Sequence, residues 1–221
     1  MKGIKQKVSP LQKALNLWAI ILIVWSIYRH TLALPEWFDE FIAKPLVFVF
    51  PVFYYIKVIE KKDFLEDIYF KAKLFSSDLV FGCITGTTFF LTAVFATFVK
   101  TGNLNIIIKS TSAQPFYYVV ILAFATAISE EILSRGFILK RLYEESGNIL
   151  SASFFASILF FFLHVPILFT NSSLTGNMLL LFMATDLILS LINSFLFLQR
   201  KSLTLPIFIH AFYNITIISF V

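Results

Sequence analysis

The chain has 221 residues, 58% hydrophobic and only 14% charged, with a mean hydropathy of +0.84, whereas soluble domains carry about 25% charge. This composition excludes a water-soluble globular fold and makes a bilayer the implied solvent. A single cysteine, Cys83, excludes intrachain disulfides and multi-cysteine metal sites, and the formal charge of +5 lies mostly in short segments between apolar runs, where topology accounts for it and nucleic-acid binding does not.

Apolar runs able to cross ~30 Å of hydrocarbon occupy about Leu11–Tyr28, Phe41–Ile59, Leu79–Val99, Phe116–Leu139, Ile149–Phe169, Met178–Leu198 and Leu203–Val221. The expected fold is an all-α polytopic transmembrane bundle of seven spans, a single domain over residues 1–221. In the first run Lys13 must snorkel to the interface. With Lys2, Lys5 and Lys7 ahead of it this run imitates a signal peptide, but only a weak cleavage pattern follows around Leu32-Ala33-Leu34, so it reads as a retained helix. Between the second and third spans, Lys61–Ser77 places Phe64, Leu65, Ile68, Ala72 and Phe75 at helical spacing, which predicts an interfacial amphipathic helix, with a solvated loop as the alternative. Gly82 and Gly86 in the third span form a small-xxx-small pair that permits close helix approach.

With the N-terminus inside, the inner segments hold Lys2, Lys5, Lys7, Lys13, Lys57, Lys61, Lys62, Lys71, Lys73, Lys140, Arg141, Arg200 and Lys201, and the outer ones Arg29, Lys44, Lys100 and Lys109. Thirteen against four favours a cytoplasmic N-terminus. Short loops favour the plasma membrane of a prokaryote.

The fourth span contains Ser129-Glu130-Glu131-Ile132-Leu133-Ser134-Arg135. An ionisable residue at the centre of a membrane helix costs ~2.5–3.5 kcal/mol on insertion scales, so three of them need an account, either a function or a charge cluster that ties helices together. Glu131 and Arg135 are i,i+4 neighbours and pair, while Glu130 is rotated by ~100° and left without that partner. An unpaired carboxyl in low dielectric suits a group that takes a proton from water and returns it to a leaving amine. Two of the three histidines, His164 and His210, also fall inside spans. His30, beside Arg29 at a helix end, reads as an interfacial residue. Asn214 lies one turn beyond His210 on the same face. The turn of the hairpin between the fourth and fifth spans falls near Ser146-Gly147-Asn148. Glu130 lies seventeen residues before Gly147 and His164 seventeen after it, so antiparallel helices bring them to similar depth. Asp186 and Asn193 share a face of the sixth span and are given no catalytic role.

The set Glu130-Glu131-x-x-x-Arg135, Phe160-x-x-x-His164 and His210-x-x-x-Asn214 resembles the motifs of the CAAX protease and bacteriocin-processing (CPBP, Abi-type) family of intramembrane endopeptidases, and in particular the type II CAAX prenyl endopeptidases. The approach to the last motif, Ser202-Leu203-Thr204-Leu205-Pro206-Ile207-Phe208-Ile209-His210, is similar too. The resemblance spans about residues 80–214. It implies peptide-bond hydrolysis at or within the bilayer, with Glu130, His164 and His210 at the family's catalytic positions.

On this basis Glu130 and His164 activate a water, His210 and Asn214 hold the oxyanion, and Glu131 and Arg135 brace the helix. No cofactor is preferred. A zinc enzyme with His164, His210 and Glu130 as ligands is the alternative, disfavoured because no His-Glu-x-x-His helix occurs and Asn214 is a poor ligand. The expected partners are a peptide or protein substrate, lipid-modified or not, and membrane lipids. Prenylated C-terminal peptides, pheromone or bacteriocin precursors and membrane-bound regulators all fit. Outside the enzyme class stand a proton- or cation-coupled transporter, which lacks the expected inverted repeat, and a non-catalytic membrane partner.

Overall fold

The structure is a computed structural model that describes residues 8–32, 34–102, 115–170 and 176–220. Lys2, Lys5, Lys7, Ala33, Lys109 and Val221, which enter the sequence reading, lie outside the described residues. All regular structure among the described residues is helical.

Helix α1 (Pro10–Thr31) starts where Ser9 accepts a hydrogen bond from the Gln12 amide and Pro10 fills the first helical position. Helix α2 (Glu36–Ile59) contains Pro45 and Pro51, whose missing N–H groups interrupt an ordinary ladder, and around them it widens into π-helical turns at Asp39–Ala43, Pro45–Val49 and Tyr55–Ile59. The one-turn helix α3 (Phe64–Asp67) and a 3₁₀ turn at Ala72–Leu74 lead into α4 (Phe75–Thr101). Helix α5 (Phe116–Ser146) is π-helical over Ile132–Leu139, immediately after the glutamate pair. It ends at Gly147, whose left-handed φ of 63° favours glycine, and the Asn148 side chain accepts from the Ser151 amide to open α6 (Ile149–Thr170). Helices α7 (Gly176–Arg200) and α8 (Thr204–Phe220) follow.

Seven long helices among the described residues overlap the seven apolar runs, and the expectation of seven spans is met in part. By length and composition, five stretches qualify as membrane-crossing among the described residues: α1, α2, Ala72–Phe95, α5 and Ile149–Pro166. Thr204–Ile217 of α8 is a shorter apolar helix. Ile20, Leu91, Phe95, Phe116 and Leu150 are exposed while Glu130, Glu131, Arg135 and Asn193 are buried, an inversion suited to a multi-pass integral membrane protein. Helix α8 packs against α4, the first half of α5, and α7, while α6 packs against α7 and α1. Gly82 and Gly86 of α4 face α8, and a Cβ at either would lie 2.4 Å from the Phe208 Cβ or 2.5 Å from the Phe212 Cβ. The close approach expected of the pair is present.

The interfacial helix expected over Lys61–Ser77 does not form. Of its apolar set Ile68 is buried, whereas Leu65, Ala72 and Phe75 are exposed, and Tyr69 takes a left-handed φ of 58° that breaks the helix. Ion pairs decide the matter. Asp67 is drawn inward to Lys140 Nζ, 2.6 Å away, and Arg141 Nη2, 3.1 Å away. The Tyr69 carbonyl accepts from the Leu203 amide at 3.0 Å. The segment is thereby tied to the ends of α5 and α8 rather than laid along an interface, and Lys140 and Arg141 are buried pair-formers rather than loop charges.

Candidate active site

Two i,i+4 pairs set the polar centre. Arg135 Nη1 donates to Glu131 Oε1 at 2.9 Å, as the spacing predicts, and Nη2 reaches the Ser190 hydroxyl on α7 at 2.8 Å. The second pair comes from α2, where Lys44 Nζ donates to Glu40 Oε1 at 2.8 Å and also, across 86 residues of sequence, to Glu130 Oε1 at 2.8 Å. Glu130 is therefore not the unpaired carboxylate that the rotation on its own helix implies. Its partner is Lys44, which the charge count places among outer residues and which is only 5% exposed. Removing it together with the buried Lys140 and Arg141 leaves three outer positions against eleven inner ones, so the asymmetry keeps its direction.

The histidines converge on the other oxygen of Glu130. Oε2 lies 3.5 Å from His164 Nε2 and 3.8 Å from His210 Nε2, is buried, and accepts no hydrogen bond from the described residues. Each imidazole has an acceptor behind its Nδ1. For His210 it is Glu131 Oε1 at 2.8 Å, where the ionised carboxylate can only accept. For His164 it is the Phe160 carbonyl at 3.2 Å, with Asp186 Oδ2 at 3.6 Å. The Phe160 ring fixes the spacing: its centroid lies 4.7 Å from that of His164 and 5.8 Å from that of His210, with the Arg135 guanidinium 4.3 Å away on the ring. That is the physical reason for a phenylalanine one turn before His164.

Helices α5, α6 and α8 thus bring Glu130, His164 and His210 together. Asn214 is half-buried one turn beyond His210. Chemically, an unengaged lone pair of a buried carboxylate flanked by two imidazole nitrogens can hold, deprotonate and re-protonate a small polar molecule.

Residues 112–216 match the family model described as type II CAAX prenyl endopeptidase Rce1-like. This segment belongs to the Rce1-like CAAX endopeptidases, a family of peptidases. Neither the curated proteins nor the solved structures gave a match to the chain. The Rce1-like segment covers α5 to most of α8 and supplies Glu130, Glu131, Arg135, His164, Asp186, Asn193 and His210. Helices α1, α2 and α4 lie outside it.

Sequence reasoning passed over Lys44, Glu40 and Thr126, whose hydroxyl donates to Glu40 Oε2 at 2.6 Å. The signal was present, since Glu40 and Lys44 share the i,i+4 spacing that identifies Glu131 with Arg135. It also left Asp186 and Asn193 without a role. Asn193 Nδ2 reaches Glu131 Oε1 at 3.3 Å, so both residues back the histidine centre.

Among the described residues no group of three or more His, Cys, Asp or Glu is arranged to hold a metal ion.

Proposed function

We propose that the protein is an intramembrane endopeptidase that hydrolyses a peptide bond with a water activated by Glu130 and His164. The observation that carries this reading is Glu130 Oε2, buried and facing His164 Nε2 at 3.5 Å and His210 Nε2 at 3.8 Å. With His164 neutral and its Nδ1–H given to the Phe160 carbonyl, its Nε2 is an acceptor. A water then donates one O–H to Glu130 and one to His164, with its lone pair turned to the scissile carbonyl. As the water oxygen bonds to the carbonyl carbon, Glu130 takes its proton. The C–N bond then breaks and Glu130 returns that proton to the leaving amine.

His210 donates from Nε2 to the oxyanion while doubly protonated, since its Nδ1–H is held by Glu131, the counter-ion behind it. Asn214 adds a second donor from the next turn. Prenylated and unprenylated peptides both remain candidate substrates, the N-terminus is assigned to the cytoplasm from the charge asymmetry, and the short loops favour a prokaryotic plasma membrane.

Purified wild type, Glu130→Gln and His164→Ala are to be compared on quenched farnesylated and unmodified peptides in liposomes. Cleavage abolished by both changes is expected. Cleavage unaffected by either, or proton flux lost in both with no peptide cleaved, overturns the proposal. In the zinc reading the same three side chains bind the ion. The Lys44 ammonium on Glu130 favours the metal-free mechanism, because a cation already shares that carboxylate. Activity that survives rigorous chelation, with no zinc by elemental analysis, is expected. Loss restored only by zinc reverses the choice.

A further inference from the structure

Lys44 lies outside the segment matched to the peptidase family, and the ring of contacts it closes exceeds what neutralising a buried charge requires. Its ammonium is already balanced by Glu40 on the same helix at 2.8 Å. It nevertheless makes a second 2.8 Å bond to Glu130 on α5. Glu40 is in turn held by the hydroxyl of Thr126, one turn before Glu130 on that helix. The circuit Thr126–Glu40–Lys44–Glu130 begins and ends on one face of α5, and all of Glu40, Lys44 and Glu130 are buried. Lys44 stands at the junction of two π-helical turns of α2, Asp39–Ala43 and Pro45–Val49, and such turns re-aim side chains at functional sites.

We infer that Lys44 is a positioning residue for hydrolysis: it grips Glu130 by Oε1, so that Oε2 is the oxygen presented to His164 and His210. The inference rests on the endopeptidase reading above. A glutamate held by one oxygen loses the rotation about its terminal bond that otherwise turns the carboxylate away from both histidines. A misplacement of about 1 Å at a reacting group costs on the order of 10²-fold in rate. Lys44 acts through Glu130, the side chain it grips, and its effect belongs in kcat rather than KM.

The test measures kcat and KM on a quenched farnesylated peptide for wild type, Lys44→Met, Lys44→Arg, Glu130→Gln and the double variant Glu40→Leu/Lys44→Met. The double variant guards against misfolding, because replacing a buried ion pair with apolar groups of similar volume is often neutral or stabilising. Expected are a loss in kcat of about 10²-fold in Lys44→Met and in the double variant, with KM within about threefold of wild type, and partial recovery in Lys44→Arg. A double variant with wild-type melting temperature and kcat within about threefold of wild type identifies the circuit as a mere helix tie and overturns the inference. Cleavage lost in Glu130→Gln but kept in the double variant overturns this inference alone. Cleavage that survives Glu130→Gln overturns the endopeptidase reading with it.

Discussion

His210 Nδ1 donates to Glu131 Oε1 across 2.8 Å, and the same oxygen accepts from Arg135 at 2.9 Å. The second glutamate of the pair thus orients a histidine of the site as well as bracing its own helix. Glu131→Gln is expected to lower kcat/KM by about 10²- to 10⁴-fold, because the neutral amide no longer supplies the counter-charge behind the His210 imidazolium. Glu131→Ala, which strands Arg135 in the interior, is expected to cost about 3–5 kcal/mol as well. Peptide cleavage and thermal unfolding in detergent separate the two effects. Full activity in Glu131→Gln contradicts the assignment.

Asp186 Oδ2 lies 3.6 Å from His164 Nδ1, beyond hydrogen-bond length, while the Phe160 carbonyl lies closer at 3.2 Å. The carbonyl therefore dominates the orientation of His164 and Asp186 assists electrostatically. Asp186→Asn is expected to reduce kcat by less than about 10²-fold, a smaller loss than that of Glu130→Gln. Equal losses in the two variants, measured on one peptide, contradict this ranking.

Burial pushes the Asp67 carboxyl up, but the hydrogen bond from Lys140 and the charges of Arg141, Lys140 and Lys62 outweigh it and hold the group below its ordinary 3.8. A carboxylate depressed in the folded state contributes stability above its unfolded pKa, and that contribution disappears as pH falls through the folded value. The melting temperature of wild type is expected to exceed that of Asp67→Asn by a constant margin above about pH 5, and the margin is expected to close below about pH 4. A margin independent of pH from about 3 to 6 shows that the segment is held by packing instead.

Gly82→Ala and Gly86→Ala force a new Cβ to within 2.4 Å of the Phe208 Cβ and 2.5 Å of the Phe212 Cβ. Overpacking of this kind costs about 1–3 kcal/mol. The nearest atom struck is a β-carbon in both cases, so shortening Phe208 or Phe212 to alanine leaves that clash in place. Because these phenylalanines flank His210 on α8, cleavage is expected to fall along with the melting temperature. Unfolding of each single and paired variant in detergent checks the cost, and recovery in Gly82→Ala/Phe208→Ala contradicts the geometry.

Helix number and order were legible because apolar length against a bilayer is a strong constraint, and the Ser146-Gly147-Asn148 turn because glycine supplies its left-handed conformation. The approach of Glu130 to His164 followed from equal distances on either side of that turn. Lys44 was not legible as a partner of Glu130, since helical rotation relates residues on one helix and says nothing about what a helix 86 residues away presents. The segment after α2 misled for a related reason. Its apolar spacing describes an amphipathic face, but Asp67 is recruited by long-range pairs with Lys140 and Arg141, and these outweigh local periodicity.

Glu130, His164 and His210 arrive on three different helices, the last of them α8, whose start is fastened to α4 where Asp78 accepts from Arg200, Ser202 and Thr204. During synthesis, the glutamate and the first histidine enter the bilayer long before residue 210 does. The half-built chain therefore lacks His210, and the proposed centre is complete only once α8 docks.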